Sequence, residues 1–443
     1  MKRLALLFVA PMLASPLWAA DLMQIYREAR DNDAAYAAAR ATLEAGRERT
    51  PQARAGLLPT LSLSGNSVWN ENDLYFRNGF QLANPNPRFN SNGYTLALSQ
   101  PLFRWQNWVA FDQSKYQVAQ AEAAFVQAGQ DLILRVAQAY FDVLYAIENL
   151  NAVRTTKASI EQQLESAKRN FEVGTATIVD SQEAQSRFDL AVAQEIAAES
   201  ELEVRQRALQ AIIGREPGTL ASLRRNAEIP QPQPADMKQW ASAAEAGNIN
   251  VQIQTAALEI AAREVERQRA GHYPTVDLVA NLGKTTSFAT VGGQLETDFQ
   301  NVGVQLSLPI FQGGLVRSRQ AEASANRAAT ESTLEQTRRN AALLARQNYL
   351  GSVNGLAQVR ALKAALVSSQ SSLESNRLGF DVGVRINIDV LNAETQVLVT
   401  RRDLARAVVD TLLSQLRLKA AVGNLSEDDV LEINALLDPA TTK

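Results

Sequence analysis

The side chains on which most enzyme chemistry depends are nearly missing from this chain. Its 443 residues include one histidine, His272, and no cysteine. That excludes disulfides, thiolate metal sites, a cysteine nucleophile and an N-terminal lipid-bearing cysteine. One imidazole supplies neither an acid–base pair nor the ligand set of a zinc centre. Paired carboxylates could hydrolyse a bond, but no Gly-rich elbow or histidine cluster accompanies them. No G-x-x-x-x-G-K-[ST] loop is present to cradle a phosphate. With 44 Lys and Arg against 47 Asp and Glu the net charge is −3, and the clustered positive charge that meets nucleic acid is absent. No residue is assigned as catalytic, cofactor-binding or metal-ligating, and the expectation is a protein that is not an enzyme and needs no cofactor.

What remains is architecture. Lys2 and Arg3 precede the apolar run Leu4–Leu13, and Ala19 and Ala20 follow, the order of a secretory signal peptide. Residues 1–20 are therefore read as an export signal. Beyond Ala20 no window approaches eighteen consecutive apolar residues, so entry into a membrane would have to be made by strands.

The body of the chain is duplicated. Arg54-Ala55-Gly56-Leu57-Leu58-Pro59-Thr60 reappears as Arg269-Ala270-Gly271-His272-Tyr273-Pro274-Thr275, and Ser99-Gln100-Pro101-Leu102-Phe103 as Ser307-Leu308-Pro309-Ile310-Phe311. Phe171-Glu172-Val173-Gly174 returns as Phe380-Asp381-Val382-Gly383, and Ala211-Ile212-Ile213-Gly214 as Ala420-Ala421-Val422-Gly423. A nearly constant offset of about 210 residues across all four pairs outweighs any single motif. The repeats are set at 21–214 and 237–423, with 215–236 and 424–443 as connecting and C-terminal segments.

Each repeat opens with two strand signals. Val302, Val304, Leu306, Leu308 and Ile310 alternate with Gly303, Gln305, Ser307 and Pro309, and Tyr94, Leu96 and Leu98 alternate with Thr95, Ala97 and Ser99. Leu61 and Leu63, and Val276, Leu278, Ala280 and Leu282, complete four strands of about ten residues, the length of a tilted membrane strand. Phe103, Trp105, Trp108 and Phe311 stand where an aromatic belt would mark the membrane edge, or where core aromatics would sit in a soluble protein. Four strands cannot close a membrane barrel, which needs at least eight, and an open edge in lipid leaves backbone groups unpaired. Closure in a membrane therefore requires several copies of the chain.

The remainder reads as helix. Val136, Ala139, Val143, Ala146, Leu150 and Val153 follow the 3,4 spacing of a coiled-coil seam. Pro, Gly and capping residues delimit helices at Asp21–Ala53, Arg104–Glu172, Ala176–Ile213, Met237–Ala270, Leu315–Asp381 and Arg385–Val422. Each long helix equals two short ones end to end, a wall of about 100 Å at 1.5 Å per residue.

These features together resemble the TolC family of outer-membrane channels. The resemblance is carried by the duplicated strand–strand–long-helix unit, Asp21-Leu22-Met23-Gln24, the Val-Gly helix turns, Leu308-Pro309-Ile310-Phe311-Gln312-Gly313-Gly314 and Lys419-Ala420-Ala421-Val422-Gly423-Asn424-Leu425. It implies an α+β membrane protein: a homotrimer whose twelve-stranded outer-membrane β-barrel, four strands per chain, stands on a long periplasmic coiled-coil α-barrel. The implied function is export of small molecules or proteins in a tripartite efflux or type I secretion system. The implied partners are a periplasmic adaptor and an inner-membrane ABC or proton-driven transporter, with outer-membrane lipid around the barrel.

The resemblance also carries site residues. The tips Val173-Gly174-Thr175 and Val382-Gly383-Val384 would close the periplasmic end and meet the adaptor. Asp180 and Arg385 correspond to a charged latch, Gln163 to a further latch member, and Asp389 to the first aspartate of a ring at the constriction. Three positions depart from the family pattern. Phe380 stands in place of a tyrosine, Arg377 in place of an acidic partner for Gln163, and Asn392 in place of the ring's second aspartate. The departures imply an easier latch and weaker block by multivalent cations. A periplasmic coiled-coil adaptor or scaffold is the alternative function; it accounts for the signal and the heptads but not for four membrane-length strands.

Overall fold

A computed structural model describes residues 19–73, 88–224, 228–289 and 293–438. Nearly all of the expected signal segment, the first inter-strand loop at 74–87 and the last residues of the C-terminal segment lie outside the described residues. The chain opens with three short helices, α1 (Leu22–Asn32), α2 (Ala34–Arg47) and α3 (Arg49–Ala55), then strands β1 (Thr60–Glu71) and β2 (Arg88–Phe103). Two helices follow, α4 (Trp105–Glu172) and α5 (Ile178–Ile213), and then the short strand β3 (Ser222–Leu223). The second half repeats the order with α6 (Met237–Gly247), α7 (Ile249–Arg269), β4 (Thr275–Ala289), β5 (Gly293–Ser307), α8 (Leu315–Asp381) and α9 (Asn387–Val422). It ends with α10 (Glu427–Asn434) and β6 (Leu437–Asp438). Helices α5 and α9 are each 36 residues long, and α4 and α8 are 68 and 67.

Two expected helices are broken. The first stops at Asp33, whose Oδ1 accepts the Tyr36 amide at 2.7 Å and so starts a new helix. The same carboxylate receives Arg135 twice at 2.9 Å, and the guanidinium holds it below the ordinary carboxylate value. The helix expected over Met237–Ala270 breaks at Asn248, which donates to the Ala421 carbonyl at 2.8 Å. The adjoining Gly247 has room for no Cβ, because the Val422 carbonyl oxygen would lie 2.7 Å from it. Strand β5 ends at Ser307, short of the expected Ile310, since Pro309 has no amide to continue a ladder.

The chain packs as two units. One unit, formed from Ala41–Phe125 and Asn250–Thr337, holds a four-stranded antiparallel sheet in the order β1-β2-β4-β5. At its foot Arg104 clasps Asp277 through two hydrogen bonds of 2.7 Å.

The other unit holds the remaining segments and is helical apart from the β3–β6 pair. Its main core gathers Ile25 and Ala29 of α1, Leu132, Tyr140 and Phe141 of α4, Leu209 and Ile213 of α5, and Leu412 and Leu416 of α9. The fully buried Tyr140 donates to the Ala221 carbonyl at 2.7 Å. Burial and the neighbouring Glu427 carboxylate push the Tyr26 phenol up to about 12. The segment after α5 and the tail after α9 meet here through β3 and β6. Toward residues 150–190 the apolar contacts between the helices include small clusters, such as Leu150, Val153 and Ala198, or Leu164, Ala167 and Ala184.

Candidate functional site

The two helix turns are built alike. In the first, Gly174 (φ +79°) and its neighbours bring the Thr175 and Ala176 amides onto the Asn170 carbonyl. In the second, Gly383 (φ +76°) lets the Val384 and Arg385 amides reach the Gly379 carbonyl. A left-handed residue is required at this point of a tight αα connection, and glycine adopts it without a Cβ penalty. Val173, Val382 and Val384 stand exposed around these turns, so each tip offers apolar side chains on a hydrogen-bonded turn.

The charged residues near the tips pair differently from the expected latch. Asp180 is the third residue of α5 and closes a capping box: its Oδ2 accepts from the Thr177 amide at 2.9 Å and the Thr177 hydroxyl at 2.7 Å. Arg385 lies 3.7 Å from Asp389. Within one chain these contacts leave Asp180 and Arg385 apart. Asn392 accepts Arg187 at 3.3 Å, linking α9 to α5. The half-buried Phe380 has no hydroxyl to bond, and Gln163 carries its Oε1 buried without a hydrogen-bond partner.

Arg377 reaches residues that the sequence reading did not single out. Its Nη2 donates to Glu394 Oε1 at 2.7 Å and to Ser159 Oγ at 2.6 Å, and the Ser159 hydroxyl also bonds that carboxylate. Glu394 is 3% exposed. A signal was available, since Leu391, Glu394 and Leu398 follow the seam spacing, and a carboxylate at a seam position needs a buried partner. Farther along the hairpin, Lys157 and Arg154 both bond Glu195, and the lysine first, then the arginine, hold its carboxyl below the usual range.

The sheet forms the second candidate surface. Its register sets Leu61 opposite Leu98, Leu63 opposite Leu96, Leu98 opposite Ala280 and Ala280 opposite Val302. Directly opposed residues share a face, so these positions make one continuous apolar surface. Ser62, Ala97, Asn281 and Asn301 form the row beside it on the other face, where Asn281 donates to Asn301 at 2.9 Å. The row is bare on the edge strands, where Leu63 is 74% and Val302 76% exposed, and half-buried at Leu96, Leu98 and Ala280 between them. Among the described residues no strand pairs with the outer edges of β1 and β5. Phe103, Trp105, Trp108 and Phe311 are all exposed at the strand–helix junctions. This is the apolar-out, polar-in pattern of a lipid-facing strand.

No helix of the described residues is long and apolar enough to cross a membrane. Among the same residues no group of three or more His, Asp or Glu is placed to hold a metal ion.

Comparison with known proteins agrees with this geometry. The family described as "Outer membrane efflux protein" matches residues 25–215 and 240–424. The outer membrane protein TolC of Vibrio cholerae serotype O1 is 33% identical over 99% of this chain and 100% of its own length. The alkaline protease secretion protein AprF of Pseudomonas aeruginosa is 31% identical over 95% of this chain and 88% of its own. Among solved structures, the Campylobacter jejuni CmeC outer membrane channel aligns with a TM-score of 0.79 at 18% identity, over 94% of this chain and 90% of the other.

Proposed function

The chain belongs to the outer membrane efflux protein family, and from that membership we propose the assembly in which it acts. It is an outer-membrane channel of the efflux and type I secretion kind, and three copies close its four-stranded sheet into a twelve-stranded barrel. The observation that carries this reading is the sheet itself: an apolar face bare along its edge strands, a polar face behind it and two unpaired edges. In lipid those edges must be paired, and pairing the β1 edge of one copy with the β5 edge of the next satisfies every strand. The residues 21–214 and 237–423 are then two structural repeats of one wall.

The duct itself supplies no energy. An inner-membrane ABC or proton-driven transporter drives the cargo, and a periplasmic adaptor docks at the tips Val173-Gly174-Thr175 and Val382-Gly383-Val384. The tips form the gate, with Asp180, Arg385 and Gln163 holding neighbouring coils and one Asp389 carboxylate per chain ringing the constriction.

Single-channel recording of the detergent-extracted protein in a planar bilayer tests the assembly. Discrete cation-leaning steps from a trimer are expected. A protein soluble without detergent and giving no steps would instead be a periplasmic scaffold. Arg385→Ala is expected to raise conductance by freeing Asp389 and loosening the tip; unchanged conductance removes Arg385 from the gate.

A further inference from the structure

The contact between Glu394, Arg377 and Ser159 differs from every other well-buried ion pair described here in how it is satisfied. Asp33 and Asp277 each have both carboxylate oxygens engaged by one guanidinium. Such two-pronged pairs are built to persist. Glu394 is more deeply buried than either, yet it uses Oε1 alone, which takes both the Arg377 guanidinium and the Ser159 hydroxyl. Its Oε2 is buried without a hydrogen-bond partner. Of the five buried side-chain polar atoms among the described residues that lack a partner, three are at this end of the molecule, on Gln163, Asn387 and Glu394. Unsatisfied buried oxygens are costly, and their clustering marks a packing that gains hydration when it separates.

The three residues also sit on three helices. Ser159 belongs to α4 of the first hairpin, Arg377 to α8 and Glu394 to α9 of the second. One turn away, Leu391 packs with Ile160 and Ala191 across the same seam. Apart from the exposed Arg187–Asn392 bond, the polar ties between the two hairpins near the tips converge, among the described residues, on the Ser159 hydroxyl, which bonds Glu394 Oε1 and accepts from Arg377 Nη2.

Resting on the channel reading above, we propose that the Glu394–Arg377–Ser159 pin is the releasable link that holds the second hairpin closed against the first. Closed, it draws the α8–α9 end onto α4 through charge-assisted bonds. Open, water reaches Oε2 and hydrates the carboxylate, which offsets the loss of those bonds. The half-satisfied geometry thus fits a latch better than a staple. Arg377 presents the same nitrogen, Nη2, to both partners, so a point-charge donor can replace it.

The test is planar-bilayer recording of the full-length assembly with Glu394→Gln, Ser159→Ala, Arg377→Met and Arg377→Lys. Lys157→Met is the control, because Lys157 bonds only within the α4–α5 hairpin. The first three variants are expected to shift the closed-to-open ratio about tenfold toward open (~1.4 kcal/mol). Arg377→Lys should stay within about twofold of wild type, keeping a donor for the carboxylate. Lys157→Met should leave gating unchanged, and all variants should keep the detergent-stable oligomer. Should Glu394→Gln fail to assemble, Ser159→Ala, which removes one hydroxyl, carries the same test. Wild-type gating in both Ser159→Ala and Arg377→Met overturns the pin while leaving the channel reading intact. A wild-type protein without channel steps overturns the channel reading, and the pin falls with it.

Discussion

Asp277→Asn should loosen the foot of the sheet by a measurable amount. The Asp277 carboxylate accepts two hydrogen bonds of 2.7 Å from Arg104, with side chains 10% and 43% exposed. Breaking one partner of a buried pair costs about 3–5 kcal/mol, and an exposed pair is worth about 0–1 kcal/mol. The half-open guanidinium places this pair between the two, near 2 kcal/mol for each chain. Asparagine keeps the shape of the side chain, so the change isolates the charge. Barrel dissociation by heat is read as a rate rather than an equilibrium. At ~1.4 kcal/mol per decade, the detergent-stable assembly should fall apart about 30-fold faster at a fixed temperature. A double-mutant cycle with Arg104→Met then measures the coupling directly. Coupling below about 0.5 kcal/mol would refute the reasoning, because independent sites deviate from additivity by about that much.

Three further outcomes are expected. Asn392→Asp restores a second carboxylate one helical turn from Asp389 and should tighten block by a trivalent cation; a channel-current titration unchanged from wild type removes this position from the constriction. Asp33 has its pKa lowered from 3.8, first by the Arg135 hydrogen bonds. Its contribution to stability is therefore present above the ordinary carboxylate value and is lost as pH falls through the folded value. Asp33→Asn should accordingly be less stable than wild type at pH about 7, and the gap should close in strong acid; denaturation midpoints that differ equally at both pH values would contradict this. Finally, a Cβ at Gly355 would collide with the Thr411 Oγ1, so Gly355→Ala should cost about 1–3 kcal/mol by overpacking. Thermal denaturation of Gly355→Ala should show that loss, and combining it with Thr411→Ala should recover part of it.

Local rules were enough for much of this molecule. The boundaries of α8 follow from Gly314 before it and the Val382-Gly383 turn after it, and its expected range matches the observed one. The four strands were legible because a period of two with one apolar face is a property of neighbouring residues. The duplicated motifs pointed to the matching 36-residue helices α5 and α9, each ended by a left-handed glycine, Gly214 and Gly423. The apolar face followed from the alternation, and the expectation of further copies from counting strands against what a membrane demands.

Only the tertiary structure decided the interruptions and the ion pairs. The helix break at Asp33 depends on Arg135, and the break at Asn248 on the Ala421 carbonyl, partners far along the chain. The Arg104–Asp277 clasp has no counterpart in the other repeat, where Gln312 follows Phe311 and Ser62 stands at the position matching Asp277. The sequence reading did not single out Glu394; the crossing of α4, α8 and α9 buries it against Ser159 and Arg377. Periodicity is set by bonds and sterics within a few residues and is therefore written along the chain. Burial of a single charge is set by which helices cross at that point, and that depends on contacts more than two hundred residues apart.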